Sequence, residues 1–257
     1  MENFFQTELS SVEIFVLAGL LGYESVPGVT DSKSVLVSDN VKKTVRHTVR
    51  RLERKRIFRY ELDGTLYIRT EIKKLIDCVC AADIMTLLTS NMRSGKKEVL
   101  YIFRNKDSIS TIADAGNNKY RMTFYNEADI SQIVPEKILN CINYEICESM
   151  LFEEAEIIKG SLTSFNTDHA NQILDKVLQK KNHSKLVSKI LTGECTFISV
   201  LVCKKHNLLY SRIYDTFIAM NDSTAVEVKA DEFNVLSFDT VELNNLLKDL
   251  NAAIIGN

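Results

Sequence analysis

The sequence predicts an α+β protein with a central antiparallel sheet, and three observations support this prediction. A cluster of three short apolar runs separated by polar turns occurs twice, at 99–125 and at 197–229. Helical patterns precede and follow each cluster. The alternation of apolar and polar residues over 120–124 is typical of antiparallel strands with one wetted face. Because three such strands need a partner surface, we expect helices to cover one face of the sheet or to flank it at both ends.

A nearly constant spacing between the two clusters predicts an internal duplication. The first turns align at an offset of 100 positions, and the third strands and the following helices align at an offset of 104. The matched residues are Phe103 to Ser108 with Cys203 to Leu208, Met122 and Phe124 with Val226 and Val228, and Leu139 and Ile142 with Leu243 and Leu246. The alternative is two unrelated antiparallel meanders, each with its own helix.

With the duplication, the whole chain, 1–257, is predicted to form a single quasi-twofold α+β domain. Its predicted parts are an N-terminal helical, winged-helix-like part at 1–94, a first meander with its helix at 95–143, a second helical bundle at 144–193, and a second meander with a C-terminal helix at 194–257.

The first helix is predicted to begin at Ser10, because Glu13 follows three positions later in a capping-box pattern. Residues 14–21 are apolar nearly all round the helix, which predicts burial on several sides. Gly22 is expected to end this helix, and a short strand is possible over 34–37.

A sharply amphipathic helix is predicted over 39–55. One face carries Val41, Val45, Val49 and Leu52, and another carries Lys42, Arg46, Arg50 and Arg54 at a spacing of four. Asp63-Gly64 lies between two alternating runs, which predicts a hairpin directly after this helix. Helix followed by hairpin is typical of the second half of a winged helix.

Further helices are predicted over 71–92, from Pro135 to Gly160, from Thr167 or Asp168 to Leu178, and from Ser184 to Gly193. The stretch 145–156 is acidic, so its charged side is expected to face solvent or the basic helix.

Composition favours a cytoplasmic protein. The chain has 257 residues, 45% hydrophobic and 26% charged, and its net charge of −2 gives no overall attraction to nucleic acid. It contains no apolar run of about 20 residues, and residues 1–6 lack the pattern of a signal peptide. The six cysteines lie in apolar settings without CxxC spacing, which predicts buried free thiols in a reducing compartment.

No pattern in the sequence indicates catalysis, a cofactor or a metal. The four histidines, His47, His169, His183 and His206, are scattered and form no HExxH spacing. Gly116-Asn117-Asn118 lacks the glycine spacing of a phosphate-binding loop and is predicted to be a hairpin connection. Asp114 and Asp129 lack neighbouring acids at metal-loop spacing. We therefore expect a protein that is not an enzyme.

The order of elements resembles the EspG family of chaperones of type VII (ESX) secretion systems. The resemblance begins with the Leu-rich segment 9–17 and the glycine- and proline-containing stretch 20–27, and it continues with the basic Leu/Arg segment 49–57. A helix, a three-stranded meander and a second quasi-symmetric copy follow in the same order. The sequence departs from the family in its richness in Lys, Asn and Ile and in the shorter connection at 115–119.

The resemblance implies a central antiparallel sheet between two helical bundles, and a cytoplasmic protein that keeps helical-hairpin secretion substrates soluble. The predicted partner is therefore a helical secreted protein, bound against one bundle and the adjacent sheet edge. The residues expected to contact it are Ala115, Gly116, Asn117, Asn118, Lys119, Lys176, Gln179 and Lys180.

The alternative function is a winged-helix regulator that binds DNA through Lys42, Arg46, Arg50 and Arg54 of the basic helix 39–56. A helix-turn-helix requires a short helix just before the recognition helix, whereas the sequence over 23–38 indicates turns and a strand. Nucleic acid is therefore not the expected partner.

Overall fold

The computed structural model describes residues 4–29, 41–91, 97–106, 108–125, 133, 148–151, 196–207, 209–220, 225–230, 235–240, 248–249 and 252–253. The chain divides into two compact units. The first comprises Met1–Leu87, Val99–Ala128 and Cys203–Ser211, and the second comprises Leu88–Glu98, Asp129–Val202 and Arg212–Asn257.

Helices and antiparallel strands occur together, which confirms the predicted α+β class. The helices are α1 (Ser11–Leu20), α2 (Val41–Arg54) and α3 (Thr70–Cys80). The strands are β1 (Phe4–Ser10), β2 (Phe58–Tyr60), β3 (Leu66–Ile68), β4 (Ile84–Asn91), β5 (Lys97–Asn105), β6 (Ser108–Gly116), β7 (Lys119–Tyr125), β8 (Glu148–Leu151), β9 (Thr196–His206), β10 (Leu209–Met220), β11 (Ala225–Ala230) and β12 (Val235–Thr240).

The first unit contains the antiparallel order β1-β7-β6-β5. Strands β5, β6 and β7 form the predicted meander, with Ile102 opposite Thr111 and Ile112 opposite Met122. Strand β1 pairs with β7 over its full length, from Phe4 opposite Tyr125 to Ser10 opposite Lys119. Strand β1 was not predicted, because its alternation of apolar and polar residues is short and runs directly into the helix cap.

Three helices pack together in the first unit and cover its strands. Helix α1 contacts α2 and α3, and α3 contacts β6 and β7. The apolar side chains at the centre of this core are fully buried: Leu9, Ile14, Leu17, Leu52, Leu75, Ile76, Phe103, Ile112 and Met122. Burial of Ile14, Val16, Leu17 and Ala18 confirms that α1 is buried on several sides.

The prediction of one helix over 71–92 is wrong in its second half. Helix α3 ends at Cys80, and Ile84–Asn91 forms strand β4. The Asp83 N–H donates to the Arg104 carbonyl at 2.9 Å, and the Asp83 carbonyl accepts from the Lys205 N–H at 2.7 Å. These long-range backbone bonds favour an extended chain after Ala82, although Met85 and Leu88 continue the helical spacing.

Two hairpin turns in the first unit each begin with a residue in the left-handed region of the backbone. Lys106 follows β5 with φ of 53°, and Asn207 follows β9 with φ of 57°. Strands β6 and β10 then begin two residues later, at Ser108 and Leu209. Equivalent positions at this turn are therefore 101 residues apart, one more than the offset predicted from the sequence. The internal duplication itself and the single quasi-twofold domain stay predictions.

The second unit contains the antiparallel order β10-β11-β12-β8. Phe217 lies opposite Val228, Val228 opposite Phe238, and Phe238 opposite Glu148. Strand β8 corrects the prediction of an acidic helix over 145–156, since 148–151 is extended and paired with β12. Strand β12 was also not predicted. It is stabilised by hydrogen bonds to β11 on one side and β8 on the other, and such long-range partners cannot be read from the spacing of neighbouring residues.

Several predictions fall outside the described residues. These are the strand at 34–37, the helices over 167–178 and 184–193, and most of the helix from Pro135 to Gly160. Residues 248–249 and 252–253 are helical and lie in the predicted C-terminal helix.

Candidate functional site

The predicted partner-contact segment 115–119 forms an exposed two-residue turn between β6 and β7. Asn117 and Asn118 have φ angles of 55° and 57°, which is the left-handed backbone that a type I′ hairpin requires. The Asp114 carboxylate accepts the Gly116 N–H at 2.8 Å, next to an irregularity in the β6–β7 register. Residues 114–119 are all exposed. The segment is therefore a tight surface turn that presents short polar side chains.

Strand β1 and helix α1 fix the position of this turn. The Ser11 N–H at the start of α1 donates to the Asn118 carbonyl at 3.2 Å, and Ser10 lies opposite Lys119 in the strand pair. These two backbone contacts constrain the turn. A constrained turn loses less conformational entropy than a free loop when it meets a partner.

Beneath the turn, a buried carboxylate connects α1 to the end of α2. Ser10 and Glu13 form the predicted capping box, with Ser10 N–H to Glu13 Oε2 at 2.8 Å and Glu13 N–H to Ser10 Oγ at 3.3 Å. Lys55 Nζ and Arg51 Nε lie 2.7 and 3.0 Å from Glu13 Oε1.

Burial of the Glu13 carboxylate would by itself raise its pKa. The hydrogen bonds from Lys55 and from the Ser10 backbone, together with the charges of Lys55 and Arg51, outweigh this effect, so the pKa of Glu13 is lowered. Glu13 is therefore an ionised carboxylate that locks α1 against α2 rather than a proton donor or acceptor for catalysis.

The predicted basic face of α2 is exposed. Lys42, Arg46, Arg50 and Arg54 all point to solvent, whereas Thr48 and Leu52 on the other side are buried. None of these four cations forms an ion pair with an acidic side chain in the part of the chain that the structure describes. Glu13 is bonded to Arg51 and Lys55, which are separate from this row.

The β2–β3 hairpin after α2 is confirmed and carries exposed aromatic side chains and one arginine, Arg59, which pairs with Glu61 at 3.0 Å. Arg59 lies directly opposite Tyr67, with its guanidinium carbon 5.0 Å from the ring centroid. Tyr60 and Leu62 are also strongly exposed. Arg59 continues the basic run of α2 that the sequence offers for phosphate contacts. Exposure of the aromatic and apolar side chains could not be predicted, because alternation alone does not tell whether apolar residues have a covering element.

The remaining predicted contact residues, Lys176, Gln179 and Lys180, lie outside the described residues. The structure therefore places one part of the predicted site, 115–119, and the other part stays a prediction. His47 and His206 are both exposed and lie on α2 and at the end of β9.

Cys78, Cys80 and Cys203 are free and buried, as predicted, and the other three cysteines lie outside the described residues. Burial raises the pKa of Cys78 to about 11 and that of Cys80 to about 12, with the charge of Asp77 adding to the effect at Cys80. Such thiols are inert at neutral pH.

Neither a metal site nor a membrane-spanning helix is present in the described ranges. No group of three or more His, Cys, Asp or Glu side chains there could hold a metal ion. No helix in those ranges combines the length and apolar character needed to cross a membrane.

Comparison with solved structures shows a likeness of fold. No protein-family model and no curated protein matches the chain. A chain in the solved structure of the Mycobacterium tuberculosis type VII secretion system chaperone EspG5, in complex with the PE25–PPE41 dimer, is similar with a TM-score of 0.60. The likeness covers 97% of this chain and 96% of the other at 9% identity. At this identity it shows a shared fold over nearly the whole chain.

Proposed function

We propose that this protein is a cytoplasmic, non-enzymatic chaperone or adaptor that binds a helical-hairpin substrate of a type VII secretion system and keeps it soluble for export. The observation that carries the proposal is the likeness to the EspG5 structure over 97% of the chain. That structure contains a chaperone bound to a protein dimer, and the fold is shared end to end rather than in one common subdomain.

The β6–β7 turn supports a role in binding. It is exposed and constrained by backbone contacts to β1 and α1, and four of its five side chains, from Ala115 to Asn118, are short or absent. Constrained turns of this kind suit protein recognition because the partner has less to order. We propose that Lys119, with Ala115 and the two asparagines, contacts the substrate, and that Lys176, Gln179 and Lys180 contribute to the same function.

Co-expression is the direct test. The tagged protein is expressed with helical-hairpin proteins encoded by neighbouring genes, and complexes are isolated by affinity purification and gel filtration. The proposal predicts a co-purifying complex, together with a soluble substrate that aggregates when expressed alone. Absence of any complex with every neighbouring candidate would overturn the proposal.

Substitution of Lys119 by Glu tests the turn. We expect this change to weaken the complex about tenfold or more, which corresponds to about 1.4 kcal/mol. The matched control is Lys73→Glu on α3, an equally exposed lysine with the same charge change. Equal affinities of the two variants would remove the turn from the binding site without affecting the proposed function.

A further inference from the structure

The exposed basic face of α2 is a second surface of marked chemical character. The segment 41–56 holds eight of the 32 basic residues of the chain and one acid, Glu53, although the whole chain has a net charge of −2. Charge is therefore strongly segregated. The outer row of this segment, named here the cation row, consists of Lys42, Arg46, Arg50 and Arg54.

The geometry of the cation row favours a regularly charged ligand. Residues four apart on a helix are separated by about 6 Å along its axis, so the row extends about 18 Å. Four like charges at this spacing repel one another, and the described part of the chain supplies no acidic partner for them. A nucleic acid duplex carries equally regular negative charge along its backbone.

The rest of the structure presents the row to a ligand. Thr48 and Leu52 anchor the opposite face of α2 in the core, and the Glu13 lock with Arg51 and Lys55 fixes the end of the helix. The β2–β3 hairpin follows within four residues of the helix end and carries Arg59, which stacks on Tyr67 and pairs with Glu61 at 3.0 Å. With Glu61 and Asp63 beside this one arginine, the hairpin is not basic, so the positive charge offered to a ligand is that of the cation row.

We infer that, contrary to the expectation from the sequence, the cation row forms a binding surface for the phosphate backbone of double-stranded DNA. Phosphate contacts position a protein without reading sequence, so the surface is expected to bind duplexes of any sequence. This function is independent of the proposed chaperone activity and uses a different set of residues from the β6–β7 turn.

The salt dependence of binding gives a quantitative test. Fluorescence anisotropy with a labelled duplex of random sequence is measured between 50 and 200 mM salt. Four phosphate contacts predict a slope of about −3.6 in log K against log salt, which is a loss of roughly 150-fold in affinity over this range. The triple variant Lys42→Glu, Arg46→Glu, Arg50→Glu should lose nearly all binding at 50 mM salt.

A matched triple variant controls for net charge. Lys73→Glu, Lys204→Glu, Lys248→Glu changes the total charge equally at three exposed lysines outside the surface, and it should retain the affinity and slope of the unmodified chain. Circular dichroism verifies that both triple variants are folded. Equal loss of binding in the two variants, or no DNA binding by the unmodified chain at 50 mM salt, overturns the inference.

A polyglutamate peptide distinguishes an acidic protein partner from DNA. It is titrated as a competitor against the labelled duplex. Failure to displace the duplex at matched charge concentration supports the inference, whereas tighter binding of the peptide than of the duplex overturns it and assigns the surface to an acidic protein.

Discussion

The Lys55 ammonium lies 2.7 Å from Oε1 of Glu13, a carboxylate whose side chain is 3% exposed. This contact joins residues 42 positions apart and ties the start of α1 to the end of the basic helix. Arg51 contacts the same oxygen at 3.0 Å and also donates to Ser10 Oγ at 3.0 Å. One carboxylate therefore serves as both a helix cap and an interhelical lock.

Replacement of Glu13 by Gln should destabilise the fold by about 1–3 kcal/mol, because it removes a buried charge from two cations that remain half-exposed. Urea unfolding should show a lower midpoint with an unchanged m-value. Glu8→Gln is the control: Glu8 pairs with Arg121 at 3.4 Å on the surface, and its loss should cost less than about 0.5 kcal/mol. Equal losses of unfolding free energy in the two variants would contradict a stabilising ion pair between Glu13 and the end of α2.

The same carboxylate predicts a pH dependence. The pKa of Glu13 is lower in the folded chain than the value of about 4.3 in an unfolded one. Its contribution to stability is therefore present above about pH 4.3 and is lost as the pH falls through the folded value. The difference in unfolding free energy between the unmodified chain and Glu13→Gln should narrow below about pH 4. A constant difference from pH 7 to pH 3 would show that Glu13 keeps an ordinary pKa.

Gly28 is packed against the ring of Tyr101, so its replacement by Ala should be costly. Gly28 has φ of +77°, and an added Cβ would lie 2.9 Å from Tyr101 Cγ. Gly64→Ala is a matched control, because Gly64 has φ of +81° and nothing within 4 Å of the added atom. Both variants incur the cost of a left-handed backbone, and Gly28→Ala should lose about 1–3 kcal/mol more. Thermal unfolding of the two variants measures this difference.

Tyr23 connects the segment after α1 to α3 through its hydroxyl, which donates to Asp77 Oδ1 at 3.0 Å. Burial and this hydrogen bond raise the pKa of Tyr23 to about 12. Tyr23→Phe should cost about 0.5–1.5 kcal/mol at pH 7, whereas the exposed control Tyr60→Phe should be neutral.

Because the folded pKa of Tyr23 exceeds the unfolded value of about 10, its contribution is fully present below pH 10 and is lost as the pH rises toward 12. Tyr23→Phe should lessen this alkaline loss, measured by urea unfolding between pH 9 and pH 11. An unchanged alkaline profile would contradict the role given to Tyr23.

The buried thiols predict selective labelling. Cys78, Cys80 and Cys203 should resist iodoacetamide at pH 8 in the folded chain and react fully in urea, because burial hinders both ionisation and access. Peptide mass spectrometry measures the modified fraction at each position. Rapid labelling of Cys80 under native conditions would show that its surroundings open.

Local signals in the sequence predicted the helix caps and the first hairpin correctly. Ser10 and Glu13 form their capping box through contacts three residues apart, and Asp63-Gly64 adopts a turn that depends on adjacent backbone angles. The amphipathic pattern of α2 likewise depends on a period of a few residues. Exposure of 115–119 and of the cation row could also be predicted, because polar residues at a turn or on one helix face have little reason to be buried.

Four strands form because of long-range pairing and could not be predicted from the sequence: β1, β4, β8 and β12. Residues 84–91 continue the helical spacing of α3, but Asp83 exchanges backbone hydrogen bonds with Arg104 and Lys205, which are far away in the chain. Residues 148–151 belong to an acidic stretch with helical spacing and still pair with β12.

Features that depend on neighbours within about four residues could be predicted from the sequence: the α1 capping box, the α2 faces, the hairpin turns and the apolar core positions of α1. Long-range pairing turned the ambiguous segments into strands, and packing of the helices brought Glu13 to Lys55. The physical reason is that a strand gains its hydrogen bonds only from a partner strand, and a buried charge is stable only beside its counterions. Neither partner is encoded in the local pattern.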